Sequence, residues 1–182
     1  KQRQQYSADE ELYSALTFAV EKLLEKQDGF GRISSYTVET EFSGWDMWCR
    51  KYVLSGLQHY YDICKDLQLK ERILDAMKST ADYICEHVGD GKIDIRTTSN
   101  FWGGANSCSI LEPFVELYKI TGISRYLDFA SYIIRSGGCI DGNLLQFAEK
   151  EGCYPYQYPE TKAYETMSFF EGLLAYYEVT GE

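Results

Sequence analysis

Apolar positions recur at helical spacing along most of this chain. Leu12, Ala15, Leu16, Ala19, Val20, Leu23 and Leu24 fall on one helical face. They predict a first helix that opens at Ser7 or Asp9 and stops before Asp28-Gly29. Residues 30–42 alternate loosely and carry Thr, Val and Tyr, which suits a short hairpin or an extended loop. A second helix is expected over about residues 46–66, with Val53, Leu54, Leu57, Tyr60 and Tyr61 along one side. A third, over about 70–88, turns Ile73, Leu74, Met77, Ala81, Ile84, Cys85 and Val88 inward and ends at Gly89-Asp90-Gly91. The fourth, about 106–119, uses Ile110, Leu111, Phe114, Val115 and Tyr118, and Pro113 within it predicts a bend or an early-turn position. Ser124 caps a fifth helix that ends before Gly137-Gly138. A long loop to Thr161 then precedes a sixth, from near Lys162 to Thr180.

The helix ends repeat. Tyr60-Tyr61-Asp62-Ile63-Cys64-Lys65 returns as Leu117-Tyr118-Lys119-Ile120-Thr121-Gly122 and as Tyr176-Tyr177-Glu178-Val179-Thr180-Gly181, at steps of 57 and 59 residues. Gly56-Leu57 matches Gly172-Leu173, and Ser109-Ile110-Leu111-Glu112 matches Ser168-Phe169-Phe170-Glu171. Such a unit fits an α-hairpin with its loops, and stacked hairpins bury a core that none could bury alone. The expectation is an all-α chain of three hairpins, 1–182 as one partial domain with units ending near 65, 122 and 181. Leu57, Tyr61, Phe114, Tyr118, Leu173 and Tyr177 are its predicted shared core.

Composition narrows the partners. With 28 acidic and 18 basic residues the net charge is −10, which argues against nucleic acid and anionic membrane surfaces. No apolar stretch approaches a membrane span. The start lacks both an initiator methionine and a signal-peptide core, so the compartment is left open between cytoplasmic and periplasmic or secreted after loss of a signal. Cys49, Cys64, Cys85, Cys108, Cys139 and Cys153 show no CxxC spacing and read mainly as small buried apolar residues. His59 and His87 have no partner at ligand spacing, so no metal site is legible.

The candidate chemistry lies in the loops before the even-numbered helices. Trp45, Trp48 and Trp102, the three tryptophans of the chain, all fall there, and Tyr154, Tyr156 and Tyr158 occupy the third such loop. Indoles can stack on sugar rings while Asp46, Asn106 and their neighbours bond hydroxyls, or they can cap the hairpin core. Arg50-Lys51 can orient a ligand or pair with Glu112 and Glu171. Those two glutamates read either as a carboxylate pair for glycoside hydrolysis or as local capping partners of Ser109 and Ser168.

Several phrases resemble one known family. Gly44-Trp45-Asp46-Met47-Trp48-Cys49-Arg50-Lys51-Tyr52, Ser109-Ile110-Leu111-Glu112-Pro113 and Ala163-Tyr164-Glu165-Thr166-Met167-Ser168-Phe169-Phe170-Glu171-Gly172-Leu173-Leu174 are similar, in order, to the β-L-arabinofuranosidase-like glycoside hydrolases. The resemblance implies an (α/α)6 toroid of six hairpins, of which this chain would hold the N-terminal part. Characterised members use a cysteine nucleophile, a glutamate acid/base and a zinc held by cysteines and glutamate, from a Glu-x-Cys and a later Cys-Cys. The implication is that no catalytic residue and no cofactor lies in this chain, with zinc belonging to the full-length member. Where members hold the sugar with histidines, this chain has Tyr52, Ser107 and Lys162.

The leading expectation is one wall of a carbohydrate cleft, with Trp45, Asp46, Trp48, Lys51, Tyr52, Trp102, Asn106 and Ser107 on the substrate. The implied partners are carbohydrate and either the rest of the toroid or a second copy docked on exposed apolar flanks. Two alternatives stand beside it: a helical-repeat module that binds a protein, and another toroid sugar enzyme such as an unsaturated-uronyl hydrolase.

Overall fold

The computed structural model describes residues 10–182. The expected helix opening at Ser7 or Asp9 lies outside them. Helix α1 (Glu10–Leu24) starts with two acids, which suit the positive end of a helix dipole. It is followed by turns and bends to Gly44, with no strand pairing over residues 30–42. Helix α2 (Asp46–Ile63) and helix α3 (Leu67–His87) come next. Asp66 caps α3, its carboxylate accepting from the backbone N–H groups of Gln68 and Leu69 at 2.8 and 3.0 Å.

The expected fourth helix is broken. A short α4 (Ala105–Cys108) is followed by a turn at Ser109-Ile110 and by α5 (Leu111–Thr121), with Pro113 in the first turn of α5. The bend lies before the proline, where its missing N–H and fixed φ suit a helix start. Helix α6 (Ser124–Ser136) follows a left-handed Gly122 whose N–H reaches the Tyr118 carbonyl. Its cap is Ile123, and Ser124 is already helical, which corrects the expected Ser124 cap.

The long loop after α6 holds structure that the residue pattern did not reveal. Strands β1 (Gly138–Cys139) and β2 (Gly142–Asn143) form a small antiparallel hairpin, and α7 (Leu144–Glu149) is capped by Asn143. The last element is α8 (Ala163–Thr180). Among the described residues the fold is all-α apart from that two-stranded ribbon.

The helices lie in two layers. Helices α2, α5 and α8 pack side by side, and α1, α3 and α6 stand behind them, each against its neighbour in the chain. The second and third helix-ending phrases share one device. Thr121 and Thr180 bond the carbonyls of Leu117 and Tyr176, and Gly122 and Gly181 adopt φ of +69° and +75°. The first phrase ends instead in extended Cys64. Of the six expected core positions, Leu57 and Phe114 are fully buried, and Tyr61, Tyr118 and Leu173 pack against the core. Tyr177 corrects the list: it is 59% exposed, because no described helix lies beyond α8 to cover it.

Candidate carbohydrate-binding rim

The start of α2 is fixed by a buried polar network. Asp46 is fully buried and saturated: Ser34 Oγ donates to Oδ1 at 2.6 Å, the Phe42 N–H to Oδ2 at 2.9 Å, and Arg50 Nε to both at 3.0 Å. Glu41 accepts from Arg32, Arg50 and Tyr83 together. Burial alone would raise the Glu41 carboxyl. The bonds from Tyr83, Arg32 and Arg50 overcome it and hold the carboxyl below its ordinary value. The Tyr83 hydroxyl moves the other way, to about 12, through burial and the adjacent carboxylate. The network ties the 28–46 loop to α2 and α3. It also makes Arg50 a partner of Asp46 and Glu41 rather than of Glu112 and Glu171.

On that anchored loop sits an aromatic cluster. Trp45 lies 5.1 Å from Phe101, 5.2 Å from Trp102 and 6.1 Å from Trp48, centroid to centroid, and Trp48 meets Tyr52 edge-on at 5.3 Å. All three indoles are half-buried, and Tyr52 is 54% exposed. Two loops far apart in sequence thus meet at one rim. Beside them an open cavity of about 510 Å³ is lined by Tyr36, Ser43, Gly44, Trp45, Thr97, Ser99, Asn100 and Phe101.

The Trp102 turn is held under backbone strain. Trp102 has φ of +47°, a region few non-glycine residues occupy, and Gly103 and Gly104 follow at +57° and +78°. A Cβ on Gly104 would lie 2.0 Å from the Arg96 carbonyl oxygen, so only glycine fits. The tip of the β1–β2 ribbon locks this turn through the Ile140 N–H to the Gly103 carbonyl, 2.8 Å. Strain of this kind is retained where the surroundings over-determine it, often at binding sites.

Two cations flank the rings. Lys162 Nζ lies 4.9 Å from the Trp102 ring centroid and is exposed. Lys51 is buried, with Nζ 5.1 Å from Trp48 and 5.3 Å from Tyr52, and it donates to Ser168 Oγ of α8 at 2.7 Å. Burial pushes the Lys51 ammonium below its ordinary pKa, against the pull of Glu112, Glu171 and Glu165. Glu112 is raised to about 7 by burial first, then by Glu171 and Glu116. Glu165 is buried, and its Oε2 has no hydrogen-bond partner among the described residues.

The structure divides the expected site. Trp45, Trp48, Tyr52, Trp102 and Lys51 converge, whereas Asp46, Asn106 and Ser107 are fully buried. Asp46 is spent on Arg50, and Asn106 Nδ2 donates to the Gly44 carbonyl at 3.1 Å, which staples one rim loop to the other. No side-chain oxygen of these three faces solvent. The capping reading of the glutamates also fails: Ser109 Oγ bonds the Asn106 carbonyl, and Ser168 lies inside α8, bonded to Lys51. Tyr154 and Tyr156 stack on each other 5.7 Å apart, and the third loop meets the indole cluster through Lys162, over the Trp102 ring. Phe101 and the Glu41 network were missed. Phe101 had a signal, its place beside Trp102, but Glu41 had none because its partners lie on three separate elements.

No curated protein matches the chain significantly. A family model does, that of the β-L-arabinofuranosidase, GH127 catalytic domain, over residues 2–146. That span takes in the network, the indole rim and the first two repeats. Helix α8 lies past it and continues the same repeat. Matched over most of its length and built mainly of helices in a repeating order, the chain belongs to the GH127 β-L-arabinofuranosidase catalytic-domain family.

Proposed function

We propose that the rim of Trp45, Trp48, Tyr52, Phe101 and Trp102 is one wall of a carbohydrate cleft in a partial (α/α)6 toroid. The sugar is a terminal arabinofuranoside or a close relative. One observation carries the reading: the indoles of Trp45 and Trp48, at the start of α2, meet half-exposed with that of Trp102, which a distant, strained and glycine-locked turn presents. Apolar rings left open to water cost hydration energy, and a sugar's C–H face offsets that cost on binding. The exposed Lys162 ammonium lies within reach of ring hydroxyls. Lys51 holds the Trp48 and Tyr52 faces in place by spanning from α2 to Ser168 of α8.

In this reading the zinc and the thiolate of the family's chemistry belong to the full-length member. No group of three or more His, Cys, Asp or Glu side chains among the described residues is placed to hold a metal ion. Burial pushes the Cys85 and Cys108 thiols up to about 12, opposite to what a nucleophile or ligand needs. The role of the chain in this reading is to bind and orient the glycoside.

Calorimetric titration of the chain with β-L-arabinofuranosyl glycosides tests it. Trp45→Ala and Trp102→Ala should each weaken binding by about tenfold or more, the equivalent of one lost stacking contact. Tyr156→Ala, outside the cluster, should leave it unchanged. Equal affinities in all four proteins would overturn the assignment.

A further inference from the structure

Below the aromatic rim, the open face of the inner layer turns acidic. Helix α5 is flanked by α2 and α8 and backed by α3 and α6, so what it leaves open is not set by an edge of the stack. Its half-buried Glu112 and Glu116 and its exposed Lys119 fall at i, i+4 and i+7, on one face. On α2 the same spacing runs through Trp48, Tyr52 and Ser55, and Ser55 is the repeat equivalent of Glu112 and Glu171. The carboxylates therefore begin one helical turn, about 5 Å, beneath the Tyr52 ring. Glu112, Glu171 and Glu165 all pull on the buried Lys51 ammonium, which is bonded to Ser168. Lys119 is taken up by Glu116 and Glu178, at 2.6 and 3.2 Å. Carboxylates thus outnumber ammonium groups in this cluster.

Glu165 adds an independent sign. It is 2% exposed, and its Oε2 has no hydrogen-bond partner among the described residues. An ionised carboxylate only accepts, so the group that satisfies it must donate: a hydroxyl does and a second carboxylate does not. Lys162 at the rim carries the opposite charge, but the buried Glu160 beside it accepts its backbone N–H at 2.8 Å. We propose that Glu112, Glu165 and Glu171 set the charge class of the glycoside held at the indole rim, admitting an uncharged sugar and rejecting a uronate. This selection rests on the rim being a sugar-binding face. A cleft lined by one sign of charge focuses its field on whatever enters, and like charges brought together cost affinity. The uronyl substrates of other toroid sugar enzymes are thereby excluded.

A matched pair of ligands tests it: methyl β-L-arabinofuranoside and its uronate, in which the C5 primary alcohol is oxidised to a carboxylate. In low salt the chain should bind the neutral sugar about tenfold more tightly or better, and the gap should narrow at an ionic strength of about 0.5 M. Glu112→Gln combined with Glu171→Gln should close the gap severalfold while the helical spectrum is retained. Asp75→Asn combined with Glu86→Gln removes the same charge from exposed positions on α3 and should leave the gap unchanged. A uronate bound as tightly as the neutral sugar, a gap untouched by the first pair of substitutions, or equal closure by both pairs would overturn the selection and leave the rim standing. If neither sugar bound, the rim reading would fall and the selection with it.

Discussion

The first two turns of α2 carry two opposed faces. Inward, Asp46 and Arg50 are fully buried and bonded to Glu41, Ser34 and the Phe42 backbone. Toward the rim, Trp48 and Tyr52, with Trp45 just before them, lie partly open to water. An ordinary amphipathic helix would reverse this, with rings inside and charges out. A buried ion pair is weak evidence for stability, since desolvation cancels much of its attraction, but its geometry is exacting. The contrast assigns the roles. The charged face holds the loop in position, and the aromatic face is what the held loop displays. Asp46, expected on the substrate, belongs to the first.

Breaking the charged face should have the largest effect. Glu41→Gln leaves Arg32 and Arg50 short of their shared carboxylate, and loss of one member of a buried pair costs about 3–5 kcal/mol, measurable as a fall in denaturant midpoint. The same residue sets an acid limit. Its pKa is lowered on folding, so its contribution is present above the unfolded value near 4.5 and is lost as pH falls through the folded one. Below about pH 4.5 the parent should lose stability more steeply than Glu41→Gln.

Next in size is the turn that sets Trp102. Gly104→Ala combines a φ of +78° with a clash against the Arg96 carbonyl, so about 1–3 kcal/mol should be lost. The near-ultraviolet signal of the coupled indoles should change with it. If that signal stayed intact, the strained turn would not be what positions the ring.

Glu112 should give a smaller change with the opposite pH sense. Its carboxyl is raised to about 7, so the folded state binds more protons than the unfolded state between about pH 4.5 and 7, and stability falls across that window as pH rises. Glu112→Gln should flatten this slope and gain on the order of 1 kcal/mol at pH 8, discounted for partial exposure. A parallel pair of stability curves would remove Glu112 as the source. Smallest of all should be the stability cost of Trp102→Ala, below about 1 kcal/mol for a half-exposed ring, even as its effect on sugar binding is large.

Legibility followed the range of the interactions. Helix periodicity and the 57- and 59-residue repeat are local or regular, and they located the six main helices and both Thr-Gly ends. The bend before Pro113 was also readable, because proline acts on its own segment. The β1–β2 ribbon was not, being only two residues per strand and held by the distant Trp102 turn. At the site, three tryptophans in pre-helix loops pointed to a rim, and the structure brings them together. Which polar neighbours face outward could not be read. Asp46 and Asn106 look like ligand contacts by type, and only tertiary packing shows them spent on Arg50 and on the Gly44 carbonyl.

The most direct test uses the indole N–H resonances of the three tryptophans, which give three separate signals in a ¹⁵N-labelled protein. Titration with methyl β-L-arabinofuranoside should shift all three along saturable curves with one common affinity, while the resonances of Tyr154 and Tyr156 stay fixed. Three indole signals that remain in place, or that shift only linearly with sugar concentration, would contradict the claim that this rim is a carbohydrate-binding face.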